Sequence, residues 1–171
     1  MTIAEFNALP ASAALETLRN CCGAARWTQQ LAAQRPFSNA QALYIAADAA
    51  WRTMDRPDIL EAFSCHPQIG QQAASGSQVH RQWSEGEQSR VQSAAEDVKA
   101  RLARQNRAYF EKFGYIFIVC ASGKSADEML ALLEQRLQND EATELPVAAE
   151  QQRLIMGLRL EKLFAGERVS R

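Results

Sequence analysis

Two histidines, His66 and His80, are the whole imidazole supply of this chain, so proton chemistry near neutral pH must rest on one of them. His66 is the better placed. It stands in Cys65-His66-Pro67-Gln68-Ile69-Gly70, where proline fixes the local backbone and a glycine permits a tight turn just after it. An unperturbed pKa of about 6.5 would let that ring give or take a proton. A histidine that merely ends a helix and hydrogen-bonds a carbonyl fits the local sequence equally well. Glu87 is also double-edged, because Ser84-x-x-Glu87 is a capping box in which the carboxylate ties the helix start to its own backbone. Ser84 and Gln88 beside it both donate and accept hydrogen bonds, and the free N–H groups of a helix start suit a carboxylated substrate. Arg159, in Leu158-Arg159-Leu160, lies just beside an apolar stripe and close enough to the core to face inward, where it needs a carboxylate or carbonyl partner. The competing picture is an amphipathic arginine that lays its stem over the surface.

Several other patterns fail. Ala121-Ser122-Gly123-Lys124-Ser125 ends like a phosphate-binding loop, but Ile118 stands where the first glycine is required, which argues against nucleotide binding. Cys65 adjoins His66, yet neighbouring side chains of an extended backbone diverge and no other His or Cys has zinc-ligand spacing, so no metal is expected. Nineteen Lys plus Arg against 20 Asp plus Glu leave a net charge of -1, with no excess of positive charge to hold a nucleic acid. No uninterrupted apolar run reaches membrane-spanning length, and MTIAEFNALP lacks the pattern of a leader. With Cys21, Cys22, Cys65 and Cys120 in no C-x-x-C spacing and no Ser-Lys-Leu ending, a reduced, cytoplasmic protein is expected, without membrane or nucleic-acid partners.

The elements that must position these residues are helices. The 171 residues suit one domain, 1–171, with 47% hydrophobic residues to build one core. Thr2-x-x-Glu5 starts a short helix. A second opens near Ser12, carries Leu15, Leu18 and Cys22 on one face and stops at Gly23, and a third through Trp27 and Leu31 ends before Pro36. Ser38 with Gln41 opens a helix burying Leu43, Ala46, Ala47, Ala50, Trp51 and Met54, and Asp55 and Pro57 begin a shorter one ending near Phe63. Ser64 to Trp83 reads as the one long loop, of a length more often functional than idle. From Ser84 a long helix runs through Val98, Leu102, Tyr109 and Phe113 to Gly114. Another starts at Ser125-x-x-Glu128, and a last one comes after Pro146 and runs through Leu154, Leu158 and Leu163. Tyr115 to Ala121 is apolar enough for a buried strand but has no strand to pair with, so an extended or irregular buried segment is expected. The sum is an all-α bundle of about eight helices.

Taken in order, Arg35-Pro36-Phe37, His66-Pro67-x-Ile69-Gly70, Ser84-x-x-Glu87-Gln88, Asn106 with Tyr109-Phe110-Glu111-Lys112-Phe113-Gly114, Phe117-Ile118-Val119-Cys120-Ala121 and Leu158-Arg159-Leu160 resemble the family of 2-oxo-4-hydroxy-4-carboxy-5-ureidoimidazoline (OHCU) decarboxylases nearly end to end. The resemblance implies that family's all-α fold, a homodimer, no metal or organic cofactor, and decarboxylation of OHCU to (S)-allantoin in urate breakdown. It also implies roles: His66, Glu87 and Arg159 as the catalytic and anchoring set, amides of Phe117, Ile118, Val119, Cys120 and Ala121 on substrate oxygens, and Pro67, Ser84 and Gln88 completing the pocket. Two other readings stay open on the residues alone: an enzyme acting on another ureide or carboxylated heterocycle, and a helical interaction domain in which His66, Glu87 and Arg159 are incidental.

Overall fold

Helix starts obey local chemistry, and two of the predicted capping boxes close in both directions. In a computed structural model that describes residues 1–66 and 96–165, the Glu5 N–H donates to Thr2 Oγ1 at 3.1 Å and the Thr2 N–H to Glu5 Oε2 at 2.8 Å, opening α1 (Ile3–Ala8). Ser125 and Glu128 do the same for α7 (Ala126–Arg136), at 3.2 and 2.7 Å. Each such cap is worth about 1 kcal/mol. Between them run α2 (Ala11–Arg19), α3 (Ala25–Ala33), α4 (Ala40–Trp51), α5 (Arg56–Ser64) and α6 (Glu96–Phe113), and α8 (Glu141–Leu163) closes the described chain. All eight regular elements among the described residues are α-helices. The Ser84 capping box and the loop beyond His66 fall outside those residues.

Three boundaries differ from the sequence expectation, each for a local reason. The cap of α4 is Asn39 and not Ser38, because the Asn39 side chain accepts the Ala42 N–H at 2.8 Å. Helix α2 ends a turn before Gly23: the N–H groups of Cys21 and Cys22 both reach the Leu18 carbonyl, at 2.9 and 3.1 Å, and tighten the chain into a turn. Helix α8 starts well before Pro146, at Glu141, with the Asp140 side chain accepting the Thr143 N–H at 2.8 Å. Pro146 therefore sits inside the helix. The buried stripe also differs from the one expected: Leu154 is exposed, while Ala148, Gln152, Ile155, Met156, Arg159 and Leu160 are buried at spacings of three and four.

The chain divides into two compact units. The first comprises Met1–Ala62 with the chain from Arg153 onward, the second Phe63–Gln152. In the first, Phe6, Leu18, Leu31, Leu43 and Phe164 are buried, and Trp27 satisfies its indole N–H on the Ala47 carbonyl at 3.0 Å. In the second, α6 packs on α7 and buries Val98, Leu102, Tyr109 and Phe113 with Met129, Leu130 and Leu133. Helix α6 stops at Gly114, whose φ of 77° turns the chain and whose N–H bonds the Phe110 carbonyl at 2.8 Å. Beyond that turn, the stretch from Tyr115 to Ala121 is buried except at the half-buried Ile116 and is neither helix nor strand, as expected for an apolar run without a pairing partner.

Candidate active site

His66 is placed by the end of α5. Its N–H donates to the Phe63 carbonyl at 3.1 Å, which closes the turn after the helix and leaves the side chain half-buried. Phe63 is fully packed and meets the Tyr115 ring at 5.3 Å between centroids. The histidine turn is thereby joined, through one aromatic contact, to the start of the Tyr115–Ala121 segment within the same unit. Tyr115 in turn touches Tyr109 at 5.9 Å and Phe113 at 6.0 Å.

The segment itself is held by its main chain. The Ile118 carbonyl accepts from Arg136 Nη1 at 2.7 Å, and the Cys120 carbonyl from Lys124 Nζ at 2.9 Å. The Ala121 carbonyl accepts the Lys124 N–H at 3.1 Å. The Cys120 N–H, one of the amides expected to face substrate, instead donates to Gln151 Oε1 at 3.0 Å. Among the described residues it is the one amide of Phe117–Ala121 with a side-chain acceptor.

Arg136 belongs to a network that sequence reasoning missed. Its Nε and Nη2 reach Glu144 Oε1 at 2.8 and 2.5 Å, Nη2 also reaches the Tyr109 hydroxyl at 3.3 Å, and the guanidinium lies 4.6 Å from the Phe117 ring centre. Glu144 also accepts from Tyr109 Oη, and from Asn139 Nδ2 at 2.7 Å. Both ions are withdrawn from water, Arg136 at 6% exposure and Glu144 at 0%. Such a pair survives only if hydrogen bonds satisfy its remaining atoms, and these do. Burial, then the bond to Glu144, raise the Tyr109 pKa, so the hydroxyl stays a neutral donor. A signal existed for Arg136, which falls in phase with Met129 and Leu133 on the buried face of α7. Glu144 was hidden because Pro146 was taken as a helix start.

Arg159 is buried as the sequence suggested, at 1% exposure in the first unit, on the buried face of α8 rather than beside it. It lies near the Cys21 thiol. Burial pushes that thiol's pKa up to about 12 although the Arg159 charge works to lower it, so Cys21 stays neutral and supplies the guanidinium with no counter-charge. The side chain of Gln152, two turns earlier on that face, is fully buried, and among the described residues neither its amide oxygen nor its nitrogen has a hydrogen-bond partner. A surface cavity of about 430 Å³ in the first unit, lined in part by Tyr44, Asp48, Arg52, Arg153 and Met156, contains none of the predicted site residues. Pro67, Ser84, Glu87 and Gln88 lie outside the described residues, as does His80.

Each unit thus buries a guanidinium, Arg159 in the first and Arg136 in the second, and in the second the histidine turn meets a stretch of clamped main chain. Residues 7–161 match the family model for OHCU decarboxylase, and the chain belongs to that family. It is 36% identical over 147 residues to "Uric acid degradation bifunctional protein TTL" of Arabidopsis thaliana, covering 85% of this chain but 45% of that protein, so it spans less than half of that relative's length. It is 25% identical over 168 residues to "2-oxo-4-hydroxy-4-carboxy-5-ureidoimidazoline decarboxylase" of Haloferax volcanii, 98% of each. Among solved structures, "Crystal structure of OHCU decarboxylase in the presence of (S)-allantoin" matches with a TM-score of 0.76 and 35% identity, over 88% of this chain and 98% of that one.

Proposed function

We propose that this chain decarboxylates OHCU to (S)-allantoin, the last step of urate degradation, as a single domain over residues 1–171. The observation that carries the reading is the likeness, over 88% of this chain and 98% of the other, to an OHCU decarboxylase crystallised in the presence of (S)-allantoin. The family match from residue 7 to residue 161 runs across both compact units, which supports treating them as one functional domain. A homodimer in the cytoplasm belongs to the same reading.

The substrate's carboxylate and hydroxyl share one ring carbon beside a carbon–nitrogen double bond. Breaking the bond to the carboxylate releases CO2, and the electron pair is drawn through the ring to nitrogen, which gains one proton and leaves an enol. A shift of the hydroxyl hydrogen to the neighbouring ring carbon then gives the carbonyl and stereocentre of allantoin. The ring is its own electron sink, so the enzyme has to orient the carboxylate out of plane, stabilise spreading charge and choose one face for the proton. We assign His66 to the hydroxyl or carboxylate and to proton handling, with Glu87 holding the hydroxyl or polarising His66. Arg159 anchors a carbonyl or the developing anion through its fork of donors, and amides of the Phe117–Ala121 segment other than that of Cys120 receive oxygen charge. Pro67, Ser84 and Gln88 complete the pocket.

The test is circular dichroism of OHCU generated in situ from urate by the two upstream activities. With the protein, rapid build-up of optically active allantoin is expected. Decay at the spontaneous rate to racemate would overturn the assignment, and an active, stereoselective His66→Ala variant would remove His66 from it.

A further inference from the structure

The peptide bonds of the Tyr115–Ala121 segment are trans, because the one cis bond among the described residues is Arg35–Pro36. In a trans peptide the carbonyl and the next residue's N–H point in opposite directions. Holding the Ile118 carbonyl on Arg136 therefore aims the Val119 N–H away from Arg136. Holding the Cys120 carbonyl on Lys124 aims the Ala121 N–H away from Lys124. Gln151 takes the Cys120 N–H between them. Val119 and Ala121 are buried, and among the described residues neither amide has an acceptor. Buried amides seldom stay unpaired, so two of them a residue apart, each fixed from behind by a cation on its own peptide plane, mark a place for an acceptor from outside the chain.

We propose that Arg136, Lys124 and Gln151 form a clamp that sets these peptide planes and presents the Val119 and Ala121 amides as a paired donor site for a substrate oxygen on which negative charge develops during decarboxylation. Glu144 and Tyr109 are the second tier, since they fix the guanidinium that fixes Ile118. This deepens the decarboxylase reading and rests on it. Arg136 and Lys124 act through main chain and are positioning residues; a group aimed by them serves charge that develops during reaction more than charge already present, so their loss falls on kcat rather than KM.

The experiment measures OHCU turnover, KM and thermal midpoint for wild type, Lys124→Met, Lys124→Arg and Arg136→Lys. Lys124→Met keeps the apolar stem and removes the donor. It is expected to lower kcat by roughly ten-fold, with KM within about two-fold and the midpoint unchanged, below the full loss of an oxyanion donor because the amide remains. Lys124→Arg, which restores a donor, should recover most of the rate. Arg136→Lys keeps the charge but cannot serve Glu144 and Ile118 together, and should also lose kcat. Wild-type turnover beside an unchanged Lys124→Met kcat overturns the clamp alone. A rate loss that tracks the midpoint and is not recovered by Lys124→Arg overturns it too, as ordinary destabilisation. A wild type that leaves OHCU to spontaneous decay overturns the decarboxylase reading, and the clamp with it.

Discussion

Glu144→Ala puts a number on the buried network. The native carboxylate is 0% exposed and takes hydrogen bonds from Tyr109, from two nitrogens of Arg136 and from Asn139. Truncation leaves a guanidinium of 6% exposure with the Ile118 carbonyl and Tyr109 hydroxyl but no counter-charge. Breaking one side of a buried ion pair costs about 3–5 kcal/mol. A domain of this kind is stable by about 5–15 kcal/mol, so the variant should lose a large fraction of its urea resistance. Arg136→Met alone should cost a similar amount, because it strands the carboxylate. The double variant Arg136→Met with Glu144→Leu buries no charge and keeps an apolar stem against Phe117, and should cost far less than the two singles together. Urea unfolding at neutral pH, with the slope checked for constancy across the set, measures all three. A Glu144→Ala cost below about 1 kcal/mol, or single costs that simply add, would refute the reasoning.

Other consequences are equally direct. Burial opposes charge on Asp48, but hydrogen bonds from Arg153 and Arg52 hold its pKa below the usual value. A depressed folded pKa means stability that is present above the unfolded value of about 3.9 and lost as pH falls through the folded one. Urea midpoints of wild type and Asp48→Asn should therefore converge on the acid side, and parallel curves down to about pH 2 would refute the linkage. Gly114→Ala meets nothing within 4 Å of the new Cβ, yet must hold φ at 77°, so it should cost about 1–2 kcal/mol from backbone strain alone in thermal unfolding. Gln152→Leu removes a buried amide with no partner and should raise stability, by about 1 kcal/mol or more, in the same assay; a loss of that size would contradict the amide's being unbonded.

Much of the fold was legible because helix starts are local. Thr2 with Glu5 and Ser125 with Glu128 close as their spacing says, and Val98, Leu102, Tyr109 and Phe113 are buried in the predicted phase. The buried, strandless character of Tyr115–Ala121 could be read from its lack of a pairing partner. Where several side chains compete for one role, pattern alone misled. Ser38 and Asn39 both suit a cap and the structure uses Asn39. Pro146 suits a helix start, but Asp140 captures the Thr143 N–H six residues earlier. That misplacement concealed Glu144, and separately the stripe was read through Leu154 when its neighbours Ile155 and Met156 face the core. Of the site, the inward turn of Arg159 was legible from its neighbours. The Arg136–Glu144–Tyr109 network was not, since it joins residues 27 and 35 positions apart, a proximity that no local spacing encodes. The end of α5 was legible because Pro67 disfavours helical geometry at the residue before it.

Pro146 has no N–H to return to the Ala142 carbonyl, so α8 lacks one rung of its backbone ladder near its beginning. Ordinarily the turn ahead of such a gap would fray and its amides would trade hydrogen for solvent within the time of local opening. Here Glu144 lies inside that turn, and its carboxylate is tied to α6 through Tyr109 and to α7 through Arg136. The opening turn of α8 is fastened sideways by one acid rather than lengthwise by its main chain. It should therefore exchange with the interior of its unit rather than with the helix that it begins.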